Sequence, residues 1–88
     1  MKRADLPNAL QIVLQELGGK ARMMDVFRLF WSKYGNSLTE KDDLFYTWNY
    51  DLRWAATQLR KKKRMKPAKE RENTGGAHCS PKGIWELV

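Results

Sequence analysis

From Trp48 to Leu59 the apolar residues recur at helical spacing, and the same stretch runs straight into Arg60-Lys61-Lys62-Lys63-Arg64. A chain built around such a segment must bury one side of a long helix while keeping a block of charge in water at its end. At about 100° per residue, Trp48, Leu52, Ala55 and Leu59 share one face, while Asn49, Tyr50, Arg53, Thr57, Arg60 and Lys61 spread over the other. The first face predicts a core contact and the second a contact with an anion. The polyvalent anions that suit such a face are nucleic acids and membrane surfaces.

Other segments supply what that helix packs against. Asp5-Leu6-Pro7 reads as a helix start, with Pro tolerated in the first turn and the Asp carboxylate facing the free N–H groups. Ala9, Leu10, Val13, Leu14 and Leu17 continue it as an apolar stripe, and Gly18-Gly19 ends it. Lys20-Ala21-Arg22 is long enough only for a stub of strand. A second helix is expected from about Met23 to Tyr34, with Val26, Phe27, Phe30, Trp31 and Tyr34 on its buried side and Gly35-Asn36 as its stop. Thr39 is expected to cap a short helix carrying Leu44 and Phe45, whose continuity with the Trp48 helix is open at this stage. Beyond Pro67 the residues from Ala68 to Lys82 read as a long loop, and Gly83-Ile84-Trp85-Glu86-Leu87-Val88 alternates like a strand. Its nearest candidate partner is the segment from Arg64 to Ala68. Three helices plus a two- or three-stranded wing give a mainly α fold with a small β-hairpin (α+β), the outline of a winged helix-turn-helix. Residues 1–88 are expected to form one domain, with 67–82 as its flexible wing loop.

Charge is unevenly placed. Residues 1–48 carry seven basic and six acidic side chains, and residues 49–88 carry ten basic and four acidic, so of the net +7 the first part holds +1 and the second +6. That asymmetry favours an anion bound by the C-terminal half. Cys79 is the single cysteine, so no disulfide framework exists, and Cys79 with His78 is too few ligands for a zinc site. The pair also lacks an orienting third group for nucleophilic catalysis. No apolar run approaches the roughly 20 residues that span a bilayer, and no signal-like core follows Met1. A reducing cytoplasmic location, associated with the nucleoid, is the expectation, without cofactor or metal.

Trp54-Ala55, then Leu59, a basic helix end and the terminal Gly83-Ile84-Trp85-Glu86-Leu87 together resemble the N-terminal winged-helix domain of Mrr-type restriction endonucleases. Members of that family typically show an Arg-x-x-Trp-Ala-like helix, a Leu four residues on and a Gly-Val/Ile-Trp strand. The resemblance covers most of the chain, from the first helix with its Gly-Gly exit to the last strand. It departs where the family turns through a Gly-containing corner and this chain has Lys61-Lys62-Lys63-Arg64-Met65. It implies a DNA-binding module in a restriction or defence setting, with a nuclease domain fused or associated, and it suggests sensing of a methylated base. This chain carries no nuclease site of its own. Asp42-Asp43 and Glu70-x-Glu72 lack the Lys and second carboxylate that a metal-dependent nuclease needs.

In a winged helix the third helix enters the major groove, where Arg pairs with guanine and Asn with adenine. Asn49, Arg53 and Thr57 are therefore the expected base contacts, with Tyr50 placed to stack or to reach a phosphate. Arg60, Lys61, Lys63 and Arg64 at the helix end, and Lys66, Lys69, Arg71 and Lys82 on the hairpin, are expected to neutralise phosphates. Arg53 could instead hold a surface ion pair with Asp51 or Glu40. Trp54 is expected to lie beneath the wing against Trp85, with Trp31 and Trp48 in the core, while Phe45, Tyr46, Trp48 and Tyr50 could line a slot for a methyl group. Double-stranded DNA is the expected partner and a homodimer is possible. A protein-docking winged helix and a structured-RNA binder stay open as alternatives.

Overall fold

A computed structural model describes residues 1–67 and 83–88. Helix α1 (Leu6–Glu16) follows a single 3-10 turn and buries Leu6, Ala9, Leu10, Val13 and Leu14, a stripe at spacings of three and four. Asp5 occupies its N-cap but does not bond forward into the helix. Its carboxylate instead accepts the Lys2 backbone N–H at 2.9 Å. Gly18 and Gly19 close α1 with φ of 86° and 88°, while the Gly18 N–H reaches the Gln15 carbonyl and the Gly19 N–H the Leu14 carbonyl. No atom lies within 4 Å of a side chain added at Gly18, so backbone conformation alone asks for glycine there.

Strand β1 (Lys20–Arg22) leads directly into α2 (Met23–Tyr34), which buries Val26 and Phe30. Gly35 has an ordinary helical φ of −57° and opens a short 3-10 turn, and its lack of a side chain serves a different end. A Cβ there would stand 2.9 Å from Cδ2 of Trp31, whose indole lies over the glycine. The expected short helix and the Trp48 helix prove to be one element, α3 (Asp43–Lys61), 19 residues long. Its N-cap is Asp42 and not Thr39. Thr39 donates its backbone N–H and its hydroxyl to the Asp42 carboxylate, at 3.0 and 3.2 Å.

Strand β2 (Ile84–Glu86) pairs antiparallel with β1, in the register Lys20↔Glu86, Ala21↔Trp85 and Arg22↔Ile84. Its main partner is thus the stub after α1. Of the expected partner segment, Arg64 to Ala68, only a bridge between Met65 and Leu87 forms, flanked by the Lys66 N–H on the Glu86 carbonyl and the Val88 N–H on the Arg64 carbonyl. Ala68 lies outside the described residues. The last strand is therefore held from both sides, and Trp85 is buried beneath it.

Leu6, Leu10, Val13, Leu14, Val26, Phe30, Leu52, Leu59 and Met65 make one core between the three helices and the sheet. The order of elements is that expected of a winged helix-turn-helix, mainly α with a small antiparallel sheet. Of the expected wing loop, 67–82, only Pro67 is among the described residues.

Candidate nucleic-acid interface

Helix α3 positions the candidate site. Leu52, Ala55, Ala56 and Leu59 are its buried side, which fixes its rotation, so Asn49, Tyr50, Arg53, Thr57 and Lys61 all stand exposed on the opposite side as expected. From Leu44 to Pro67 the only carboxylate is Asp51. It is engaged from behind, by Arg3 at 3.3 Å and by the Thr47 hydroxyl at 2.7 Å. Arg3 also lies over the Trp54 ring, 4.1 Å from its centroid. That contact corrects the expectation for Trp54, since the ring that Trp85 meets edge-on is Phe27, at 5.8 Å.

Several cations elsewhere in the described residues are ion-paired. Arg22 and Arg28 both bond Asp25, Lys33 bonds Glu16, and Lys66 bonds Glu86 at 2.9 Å. Hydrogen bonding from Arg22 holds the Asp25 carboxyl below its usual value. Arg53 has no such partner among the described residues, nor do Lys61, Lys62 and Lys63. Among the described residues, Arg53 and Lys61 to Lys63 thus form a run of cations without ion pairs on the outer half of α3 and its exit.

The expected phosphate ligands separate into two kinds. Lys61 and Lys63 are exposed. Arg60 is half-buried, its Nε donates to the Lys66 carbonyl at 3.1 Å, and burial lowers its pKa. Arg60 thus ties the helix end to the sheet edge, and Lys66 ties the same edge to Glu86. Arg64 donates to Gln11 Oε1 at 3.3 Å, across to α1. Lys69, Arg71 and Lys82, like His78 and Cys79, lie outside the described residues.

Lys63 carries a further signature. It has φ of 60°, and the Arg64 N–H reaches the Leu59 carbonyl while the Lys63 N–H reaches the Arg60 carbonyl. This is the closing motif that ends α1, with a lysine where α1 has Gly18. A side chain in that conformation costs about 1–2 kcal/mol.

Among the described residues, two recesses lie where α2 meets α3. A hollow of about 270 Å³ is lined by Phe27, Asn49, Tyr50 and Arg53. Within it the Tyr50 backbone N–H donates to Asn49 Oδ1 at 2.9 Å. A larger apolar groove of about 450 Å³ runs between α2 and α3, past Met24, Phe27, Trp31 and Trp48. Trp31 was expected in the core but is 40% exposed, because it stacks on the outer face of Trp48 at 5.2 Å while Phe30 takes the inner one at 5.5 Å. Phe27 was assigned to the buried side alone, yet it borders both recesses. Helical spacing finds the apolar stripe of α2 but does not show which of its edges is left uncovered.

Among the described residues no three His, Cys, Asp or Glu side chains converge on a metal position, and no helix is long and apolar enough to cross a membrane. No protein-family model, curated protein or solved structure matches the chain.

Proposed function

We propose that this protein is a non-catalytic double-stranded DNA-binding module, with α3 in the major groove and the basic exit of α3 on the phosphate backbone. The observation that carries this is the distribution of charge along α3. Its only carboxylate past Leu44 is neutralised from behind by Arg3, while Arg53 and Lys61 to Lys63, on the opposite side and at the exit, have no ion-pair partner among the described residues. A helix fits the width of the B-form major groove, and the exposed Asn49, Arg53 and Thr57 are the kinds of side chain that reach base edges there. The lysines meet phosphates, which fixes position without reading sequence. If about five phosphates are neutralised, the log–log dependence of affinity on salt has a slope of about −4 to −5. Titration of labelled random-sequence duplex at two salt concentrations measures this, with single-stranded DNA and duplex RNA as comparators. Binding that is salt-insensitive, or equal on duplex RNA, would overturn the proposal.

A restriction or defence setting, with a nuclease fused or associated, rests on the family resemblance alone. Sensing of a methylated base belongs with it. Of the four aromatics that could line a methyl slot, Phe45 and Trp48 are committed to ring contacts with Trp31, and Tyr46 and Tyr50 stand 67% and 71% exposed. Equal affinity for methylated and unmethylated duplexes of one sequence would remove this narrower form.

The groove between α2 and α3 favours a second reading, in which the domain docks a protein and the lysines serve solubility. Met24 and Trp31 are 52% and 40% exposed at that groove. Absence of duplex binding at low salt would shift the assignment to this form.

A further inference from the structure

The hollow on the outer flank of α3 combines two kinds of surface. It is lined by two aromatic residues, Phe27 and Tyr50, and two polar ones, Asn49 and Arg53. The Arg53 guanidinium only donates hydrogen bonds. Asn49 presents the same sense outward, because its Oδ1 is turned in to its own helix, where it accepts the Tyr50 N–H, and Nδ2 lies at the other end of the amide. Two donors therefore stand beside apolar rings, with the Asn49 acceptor directed at its own backbone.

The complement of such a surface is an acceptor next to a methyl group. In the major groove thymine offers this, with O4 beside its C5 methyl. Cytosine offers an N4–H2 donor instead, adenine an acceptor with a donor, and guanine two acceptors without a methyl. We propose that the hollow reads the thymine of an A·T pair, with Asn49 Nδ2 donating to O4 and the methyl resting against Phe27 and Tyr50. Arg53, on the next turn of the same helix, reaches a purine acceptor of a neighbouring pair. This rests on α3 entering the major groove as proposed above. It changes the role of Asn49 from a two-bond partner of adenine to a single donor to thymine, and it gives Phe27 of α2 a place in the site.

Uracil keeps O4 and lacks the methyl, so it isolates the apolar contact. The intact chain would be titrated at low salt against an alternating A·T duplex, the same duplex with uracil for thymine, and alternating G·C duplexes with cytosine or 5-methylcytosine. Loss of one buried methyl is expected to weaken binding about fourfold on the uracil duplex. No gain is expected on 5-methylcytosine, where the methyl comes with a donor facing Asn49. Tyr50→Ala, at a ring 71% exposed, should abolish the preference for thymine over uracil with the helical circular dichroism unchanged. Equal affinity for the thymine and uracil duplexes, with salt-sensitive binding retained, would overturn the thymine site and leave the DNA-binding proposal standing. Tighter binding to 5-methylcytosine, or a preference that survives Tyr50→Ala, would overturn it likewise. Salt-sensitive binding to none of the duplexes would remove both.

Discussion

Lys63 and Gly18 occupy the same position of the same helix-closing motif, and only one of them suits it. Backbone strain held by a charged side chain at the edge of a candidate site suggests that the charge is wanted there. Lys63→Gly is accordingly expected to stabilise the fold by about 1 kcal/mol, read as a raised midpoint in urea, while reducing the salt slope of duplex binding by about one. A variant that gains stability and keeps the full slope would leave Lys63 without a role in binding. Gly35 presents the reverse case, since conformation allows any residue and Trp31 does not. Gly35→Ala should cost about 1 kcal/mol, at the low end for overpacking because Trp31 is part-exposed and can yield. Neither effect was legible in the sequence. A lysine run does not announce which member takes a left-handed backbone, and a glycine after a helix reads as a stop whether its conformation or its space is what matters.

If α3 enters the major groove as proposed, substitutions along the helix and at its exit should divide by position. Arg53→Ala is expected to relax sequence choice at one position, at a cost of about 1–3 kcal/mol there, whereas Lys62→Ala should weaken binding to all sequences alike. Competition of the variants against duplexes that differ at single positions separates the two. The start of α2 adds a pH dependence. Hydrogen bonding from Arg22 depresses the Asp25 pKa in the folded chain, so its contribution to stability is complete above the ordinary carboxylate value of 3.8 and is lost as pH falls through the lowered one. Asp25→Asn should therefore flatten the acid limb of a melting-temperature profile. The helices and their buried stripes were legible because an amphipathic pattern repeats over several turns. The pairing of β2 with β1 was not, because three residues such as Lys20-Ala21-Arg22 carry no periodicity and the nearer segment at Met65 competes for the same strand. The outward residues of α3 followed from its stripe, while Phe27 needed the placement of α2 against it.

The core depends on side chains from every helix and on a single aromatic from the sheet. Trp85→Ala should remove about 3–5 kcal/mol, measured by denaturant unfolding, since Trp85 is buried beneath β2 and braces Phe27. Phe27 in turn meets Trp48 edge-on at 5.7 Å, so this loss should also blur the flank of α3 and lower duplex affinity. The register Ala21↔Trp85 joins residues far apart in sequence, and β2 is held on its other side by Met65. Closing so long a stretch of chain costs entropy before any ladder bond repays it, whereas the turns within α1 and α3 form locally. The helices are therefore expected to assemble first and the sheet to zip up last. Opening of the native state retraces that order, so the Leu87 and Lys66 amides, bonded to Gly19 and Glu86, should exchange with solvent deuterium before those of Leu52 and Ala55.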